Sequence, residues 1–283
     1  EEEVKKAGLT SPSLIVVGEV VRLREKLNFF ENRPLFGQNI MVTRSRTQSS
    51  SLKAKLIELG ANVFEIPTIE IQPRQGEEID AKLQTLKDYN YIVFGSQNAV
   101  SLFFERLYAL GKDARSLGEA KVVAVGSATA KCLETYGIRP DFMPERFTQE
   151  SIAELLEDKL TKEDKVLIAQ GSLARDVLYT KINEICEVET LLLYDTVLNE
   201  SSKVRLKQLL NSERVDVITF TSSSTAKNLM ALLDGEDKEK VRAIKCISIG
   251  EITSKAMREL GLTVYKEANP FTIEGLINCL CEQ

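Results

Sequence analysis

Short apolar runs that end in small polar residues, each followed by an apolar stripe at helical spacing, recur along this chain. In residues 215–229, VDVITFTSSSTAKNL, the positions Val215, Val217, Ile218 and Phe220 read as a buried strand. Five hydroxyl residues follow, and then Ala226, Leu229, Met230 and Leu233 fall on one helical face. Residues 91–104, YIVFGSQNAVSLFF, repeat the pattern with Gly95, Ser96, Gln97 and Asn98 in the turn. A strand passing through such a turn into a helix leaves backbone N–H groups unpaired at the strand's carboxyl end, where anions bind.

Taken in order, the pattern predicts a strand over 40–43, a polar turn from Ser45 and a helix carrying Leu52, Leu56 and Leu59. Residues 63–71, VFEIPTIEI, read as one strand, placed at an edge or crossover by Pro67. A helix over 79–86, strands at 91–94 and 121–125, and a helix capped at Phe147-Thr148 complete the first half. The second half replays it: a strand over 165–169 entering Gly171-Ser172, a strand over 188–197, then 215 onward and 246–249. Gly126 and Gly250, Gly137 and Gly261, Phe147 and Phe271, and Thr148 and Thr272 are each 124 residues apart, and Ser96 and Ser222 are 126 apart. A repeat of this length implies duplicated α/β domains, each with a parallel sheet covered on both faces. Two such domains with facing turns would form a cleft lined with N–H and hydroxyl donors.

Residues 1–37 stand apart, with a short strand expected over 14–17 and a helix over 20–30, too little to bury a core alone. There is no initiating methionine, so a preceding region is expected.

Composition narrows the chemistry. The chain has 283 residues, 43% hydrophobic and 28% charged, which suits a two-domain globular protein. A formal charge of −5 and the lack of basic runs argue against a nucleic-acid partner, so an anionic ligand needs local donors. There is no histidine, which excludes Ser-His-Asp and Cys-His systems and imidazole metal sites. The five cysteines are scattered and read as reduced thiols of a cytoplasmic protein, with no membrane partner.

The ordered motifs VTR (42–44), FGSQNAV (94–100), VAVGSATAKCL (123–133), QGSLARDVL (170–178), LYDTV (193–197), TFTSSS (219–224), ISIGEITSKAM (247–257) and PFTIEGL (270–276) resemble the uroporphyrinogen-III synthase family over residues 39–283. The run GLTSPSLIVVGEVVRLREKLNFF (8–30) resembles the C-terminal end of uroporphyrinogen-III methyltransferases, without their cofactor site, and suggests a fusion with a methyltransferase upstream. The resemblance implies an α/β fold of two flavodoxin-like parallel-sheet domains joined by a two-strand ladder. It divides the chain into a tail (1–38), a discontinuous first domain (39–72 with 199–283) and a second domain (73–198), with 63–71 and 188–197 as the ladder. It also implies that a linear tetrapyrrole, hydroxymethylbilane, loses water and is cyclised with inversion of its last ring, without metal or other cofactor, by a monomer.

On that resemblance Tyr194 is the candidate acid, assisting hydroxyl departure; its other reading is a strand-end tyrosine packing the ladder. Candidate substrate binders are Arg44, Ser96, Gln97, Asn98, Gly126, Ser127, Thr129, Gly171, Ser172, Arg175, Ser222, Ser223, Ser224, Gly250 and Thr253, with Arg46 as a further cation. Each hydroxyl could equally be an ordinary helix cap, and each arginine a solvated one. The chain departs from the family's habits at Ser127 and Glu251, where proline often follows the glycine, and at Gln170, often basic, which leaves Arg175 as the local cation. A two-domain sensor closing on an anion without chemistry is the other reading; turnover of hydroxymethylbilane separates the two.

Overall fold

The structure, a computed structural model, describes every residue except Glu1, Ser11, Ser13, Ser45, Phe147, Glu213 and Gln283, and the side chains of residues 46–50 and Ser212. The chain forms two compact units, residues 1–68 with 199–283, and residues 69–198.

The first unit holds β1 (Asn39–Val42) and β2 (Asn62–Glu65). The second begins with β3 (Ile69–Pro73) and continues with β4 (Tyr91–Phe94), β5 (Lys121–Ala124), β6 (Lys165–Gly171) and β7 (Glu187–Leu198). The chain then returns to the first unit for β8 (Val217–Phe220), β9 (Lys245–Ser248) and β10 (Val264–Glu267). The first unit's sheet is wholly parallel, in the order β10-β9-β8-β1-β2. That is the doubly wound flavodoxin-like order, with its topological switch point between β1 and β8. The second unit's sheet runs β3-β7-β6-β4-β5, parallel except for β3, so its switch point lies between β4 and β6.

Successive strand residues point to opposite faces, and each face has its own core. In the second unit Ile92 and Phe94 join Phe103, Phe104 and Leu167 on one side. Val93 joins Val123, Ile152, Ile168 and Leu178 on the other. In the first unit Met41, Ile218 and Phe220 pack with Leu229 and Met257, while Ile40, Val42, Val217 and Ile247 pack with Leu52, Leu56 and Leu276.

The repeat survives at the level of turn geometry. Ser96 and Ser222 both cap helices from extended backbone, accepting from Ala99 N–H and Thr225 N–H. Thr148 and Thr272 do the same for Ser151 N–H and Gly275 N–H. Gly126 and Gly250 both precede helices in extended backbone.

Four expectations are corrected. The run 63–71 is two strands in two sheets: Ile66-Pro67-Thr68 lies between them, and proline cannot donate to a ladder. The ladder is consequently β3 against the carboxyl-terminal end of β7, pairing Ile69 with Leu198 and Pro73 with Tyr194, while the first part of β7 pairs in parallel with β6. The first seam between the units falls at Thr68/Ile69 rather than after Gln72. The expected strand at 14–17 has no partner strand among the described residues, and only a 3₁₀ turn (Glu19–Leu23) and one helical turn (Arg24–Leu27) stand where a helix over 20–30 was predicted. The apolar side chains of this segment stay uncovered: Leu14, Ile15, Val17 and Phe29 are all largely exposed. The turn at Ser45 and the cap residue Phe147 lie outside the described residues.

Candidate active site

β4 ends at Phe94, and Gly95-Ser96 turn the chain into the helix Gln97–Ala109. Beside it β6 runs two residues beyond its predicted end, so Gly171 belongs to the strand and pairs with Tyr194 of β7. The next helix starts only at Val177, so of the two expected turn residues Ser172 lies in the turn and Gly171 in the strand. Gly171 has another use. A Cβ there would lie 2.5 Å from Tyr194 Cζ, so the bare backbone forms the floor on which the phenol ring lies. Tyr194 is itself buried, and its hydroxyl is 2.9 Å from Ser96 Oγ. Ser96 and Tyr194, 98 residues apart in sequence, thus meet at the carboxyl ends of β4 and β6, the switch point of this sheet.

A pocket of about 390 Å³ opens there, lined by Gly95, Gln149, Gln170, Gly171, Arg175 and Tyr194 among others. Arg175 is held on its rim by Glu150, with Nη1 donating to Oε1 at 3.0 Å. Ser172 faces the other way. Its amide donates to the Tyr194 carbonyl, and its hydroxyl is hydrogen-bonded to Asp195. Asp195 also accepts two bonds of 2.8 Å from Arg74, the residue after β3. The Arg74 guanidinium first, and the Ser172 hydroxyl second, bring the Asp195 carboxyl down to about 2. The clasp fixes the strand segment that carries Tyr194.

The remaining candidates in this unit follow the same carboxyl edge. Gln97 and Asn98 are the first residues of the helix after β4, and Gly126 and Ser127 open the helix after β5. Thr129 points inward and is buried.

The first unit presents its own edge. Arg44 follows β1 and is half-buried, which pushes its guanidinium pKa down. Ser222 caps the helix Ser223–Leu232, and its Oγ lies 2.9 Å from that of Ser224. Gly250 precedes the helix Glu251–Glu259, with the Phe271 ring packed on it; Thr253 in that helix is buried. Behind the turn, buried Ser248 meets Ser254, which meets Glu267, each contact 2.5 Å. The Arg46 side chain lies outside the described residues. Among the described residues no group of three or more Cys, Asp or Glu could hold a metal ion, and no helix is long and apolar enough to cross a membrane.

With this geometry in view, the model of the family described as uroporphyrinogen-III synthase HemD matches residues 50–278. The chain belongs to the uroporphyrinogen-III synthase family. The porphyrin biosynthesis protein HemD of Ruminiclostridium josui is 35% identical over 286 residues, taking in 100% of this chain and 56% of that protein. The chain therefore spans about half the length of that relative. The uroporphyrinogen-III synthase of Synechococcus elongatus is 29% identical over 255 residues, covering 87% of this chain and 95% of that one. The crystal structure of a mutant uroporphyrinogen III synthase from Thermus thermophilus matches with a TM-score of 0.59 at 18% identity, over 86% of this chain and 97% of that one. At that identity the likeness concerns the fold alone.

For this uroporphyrinogen-III synthase family member, sequence reasoning places Gly95 in the turn and Gln170 in the fourth motif without assigning either to the site, and it misses Gln149 and the Arg74–Asp195 clasp. One signal was present for the clasp: Asp195 lies near the end of one of the two runs expected to form a ladder, and Arg74 lies just past the end of the other. For Gln149 no local signal exists, because its place in the pocket wall depends on the helix after Thr148 packing beside β6.

Proposed function

We propose that this chain is a uroporphyrinogen-III synthase that converts hydroxymethylbilane to uroporphyrinogen III. The observation that carries the reading is the Tyr194 hydroxyl, set on Gly171 in a pocket at a switch point of the sheet. Membership of the family supports it. The pyrrole nitrogen lone pair expels the substrate's hydroxyl. The C–O electron pair leaves with oxygen, which takes the Tyr194 proton and departs as water. An azafulvenium cation and a phenolate remain. The terminal pyrrole attacks through its substituted carbon, the resulting spiro centre fragments and recloses with that ring inverted, and a ring-carbon proton restores the phenol. The protein's contribution is orientation and placement of charge.

Carboxylate-binding roles are proposed for the turn amides and side chains at Gln97, Asn98, Gly126, Ser127 and Arg175, and for those at Arg44, Ser222, Ser223, Ser224 and Gly250. Gly171 and Ser172 serve Tyr194 rather than the carboxylates, and buried Thr129 and Thr253 reach substrate through their backbone amides. The enzyme works as a cytoplasmic monomer in this reading. Residues 14–30 belong against a methyltransferase-like domain. Their exposed apolar side chains support that, as does the length of the Ruminiclostridium relative beyond the matched region.

Incubation with hydroxymethylbilane, with separation of the isomeric products, tests the reading. Uroporphyrinogen III should form in excess of the uninverted isomer that spontaneous closure gives. Product identical to the spontaneous mixture would refute it. Tyr194→Phe should lose on the order of 10- to 1,000-fold in rate, the usual worth of one positioned acid, and leak toward the uninverted isomer.

A further inference from the structure

Ser96 has two hydrogen-bond relations that together decide where its proton goes. As the N-cap of the helix Gln97–Ala109, it offers one Oγ lone pair to Ala99 N–H at 3.1 Å. The same oxygen lies 2.9 Å from Tyr194 Oη, and either hydroxyl could be the donor. The two arrangements are not equivalent toward the pocket, because Tyr194 lines it and Ser96 stands behind. If the phenol donated to Ser96, it would present only lone pairs to the pocket. If Ser96 donates to the phenol, the Tyr194 proton is left for the pocket. The leaving hydroxyl of the substrate brings lone pairs and needs a donor, so a bound substrate selects the second arrangement.

We propose that Ser96, rather than binding a carboxylate, is a positioning residue that donates to Tyr194 Oη and so directs the Tyr194 proton at the leaving group. The inference rests on the synthase reading above. When that proton goes to the departing oxygen and water leaves, the phenol oxygen gains negative charge. The Ser96 bond then becomes a charge-assisted one and strengthens just as the barrier is crossed. The amino end of the helix that Ser96 caps adds positive potential at the same place. The Tyr194 ring cannot turn away from this partner cheaply, since Gly171 backs it and the Pro73–Tyr194 and Gly171–Tyr194 pairings hold its strand on both sides.

A double-mutant cycle in the full chain tests this, because groups acting as one unit are not additive. Ser96→Gly removes the donor while keeping a tolerated N-cap residue. It should lower kcat about tenfold, the worth of one hydrogen bond to a developing charge, with KM within about twofold. Ser96→Thr and Ser96→Asn, which both cap and donate, should restore most of the rate. In the Tyr194→Phe background, Ser96→Gly should change kcat by less than about twofold. The proposal is overturned if Ser96→Gly leaves kcat unchanged. It is equally overturned if the same loss recurs in the Tyr194→Phe background, or if folded Thr and Asn variants stay as slow as Gly. Failure of the wild-type chain to make uroporphyrinogen III would instead strike the synthase reading itself.

Discussion

At the scale of single residues, two neighbours on β7 carry opposite burdens. Tyr194 is buried on the sheet's inner side against Gly171, while Asp195 faces the other way and is clasped by Arg74. The Asp195 carboxyl titrates at about 2 in the folded chain, below the roughly 3.9 of an unperturbed aspartate. Its contribution to stability is therefore fully present above about pH 4 and is lost as pH falls through about 2. Carbon NMR of the labelled carboxyl should show a midpoint near 2 that moves upward in Arg74→Ala; a midpoint near 4 in the native chain would contradict the clasp. Gly171→Ala forces a methyl into the phenol ring, so the ring must move off its floor. Synthase turnover should fall at least tenfold, by displacement of the acid. Unchanged turnover would mean that the position of Tyr194 does not matter to the chemistry.

At the scale of elements, β4 shows why much of the fold was legible. A strand buried on both faces reads as an unbroken apolar run, and Tyr91–Phe94 supplies one that ends in a capping serine. The serine and threonine caps were legible for the same local reason. What could not be read is partner choice. Leu14–Val17 has as strong a strand pattern as β4, yet among the described residues it finds no strand to pair with. The Ser96–Tyr194 contact joins residues 98 positions apart, and no spacing rule reaches that far. The segment Asn269–Thr272 gives a prediction of its own. A Cβ on Gly275 would run into the Pro270 carbonyl oxygen, a backbone atom that cannot swing aside. Gly275→Ala should destabilise the chain by about 1–3 kcal/mol, the usual cost of overpacking, measured by denaturant unfolding. A change below about 0.5 kcal/mol, ordinary for a neutral surface site, would show that the turn yields.

At the scale of the whole molecule, the second unit is contiguous and the first is not. Residues 69–198 contain both cores of their own sheet, and their size is that of an ordinary independent domain. Expressed alone, that fragment should give a cooperative unfolding transition; a chain ending at Leu198 should lose the first unit, whose β8, β9 and β10 are missing. Non-cooperative melting of the fragment would contradict this. The point of departure and return is narrow, because Asn199 N–H donates to the Thr68 carbonyl at 3.1 Å. A ribosome meets that arrangement in a fixed order. After β1 and β2 emerge, the side of β1 that will receive β8 stays unpaired until residue 217 has been made. At about 5–20 residues per second that wait is roughly eight to thirty seconds. A bare parallel strand edge held open so long is an invitation to stray pairing. Nascent chains stalled between the two units should accordingly be the species most dependent on chaperones.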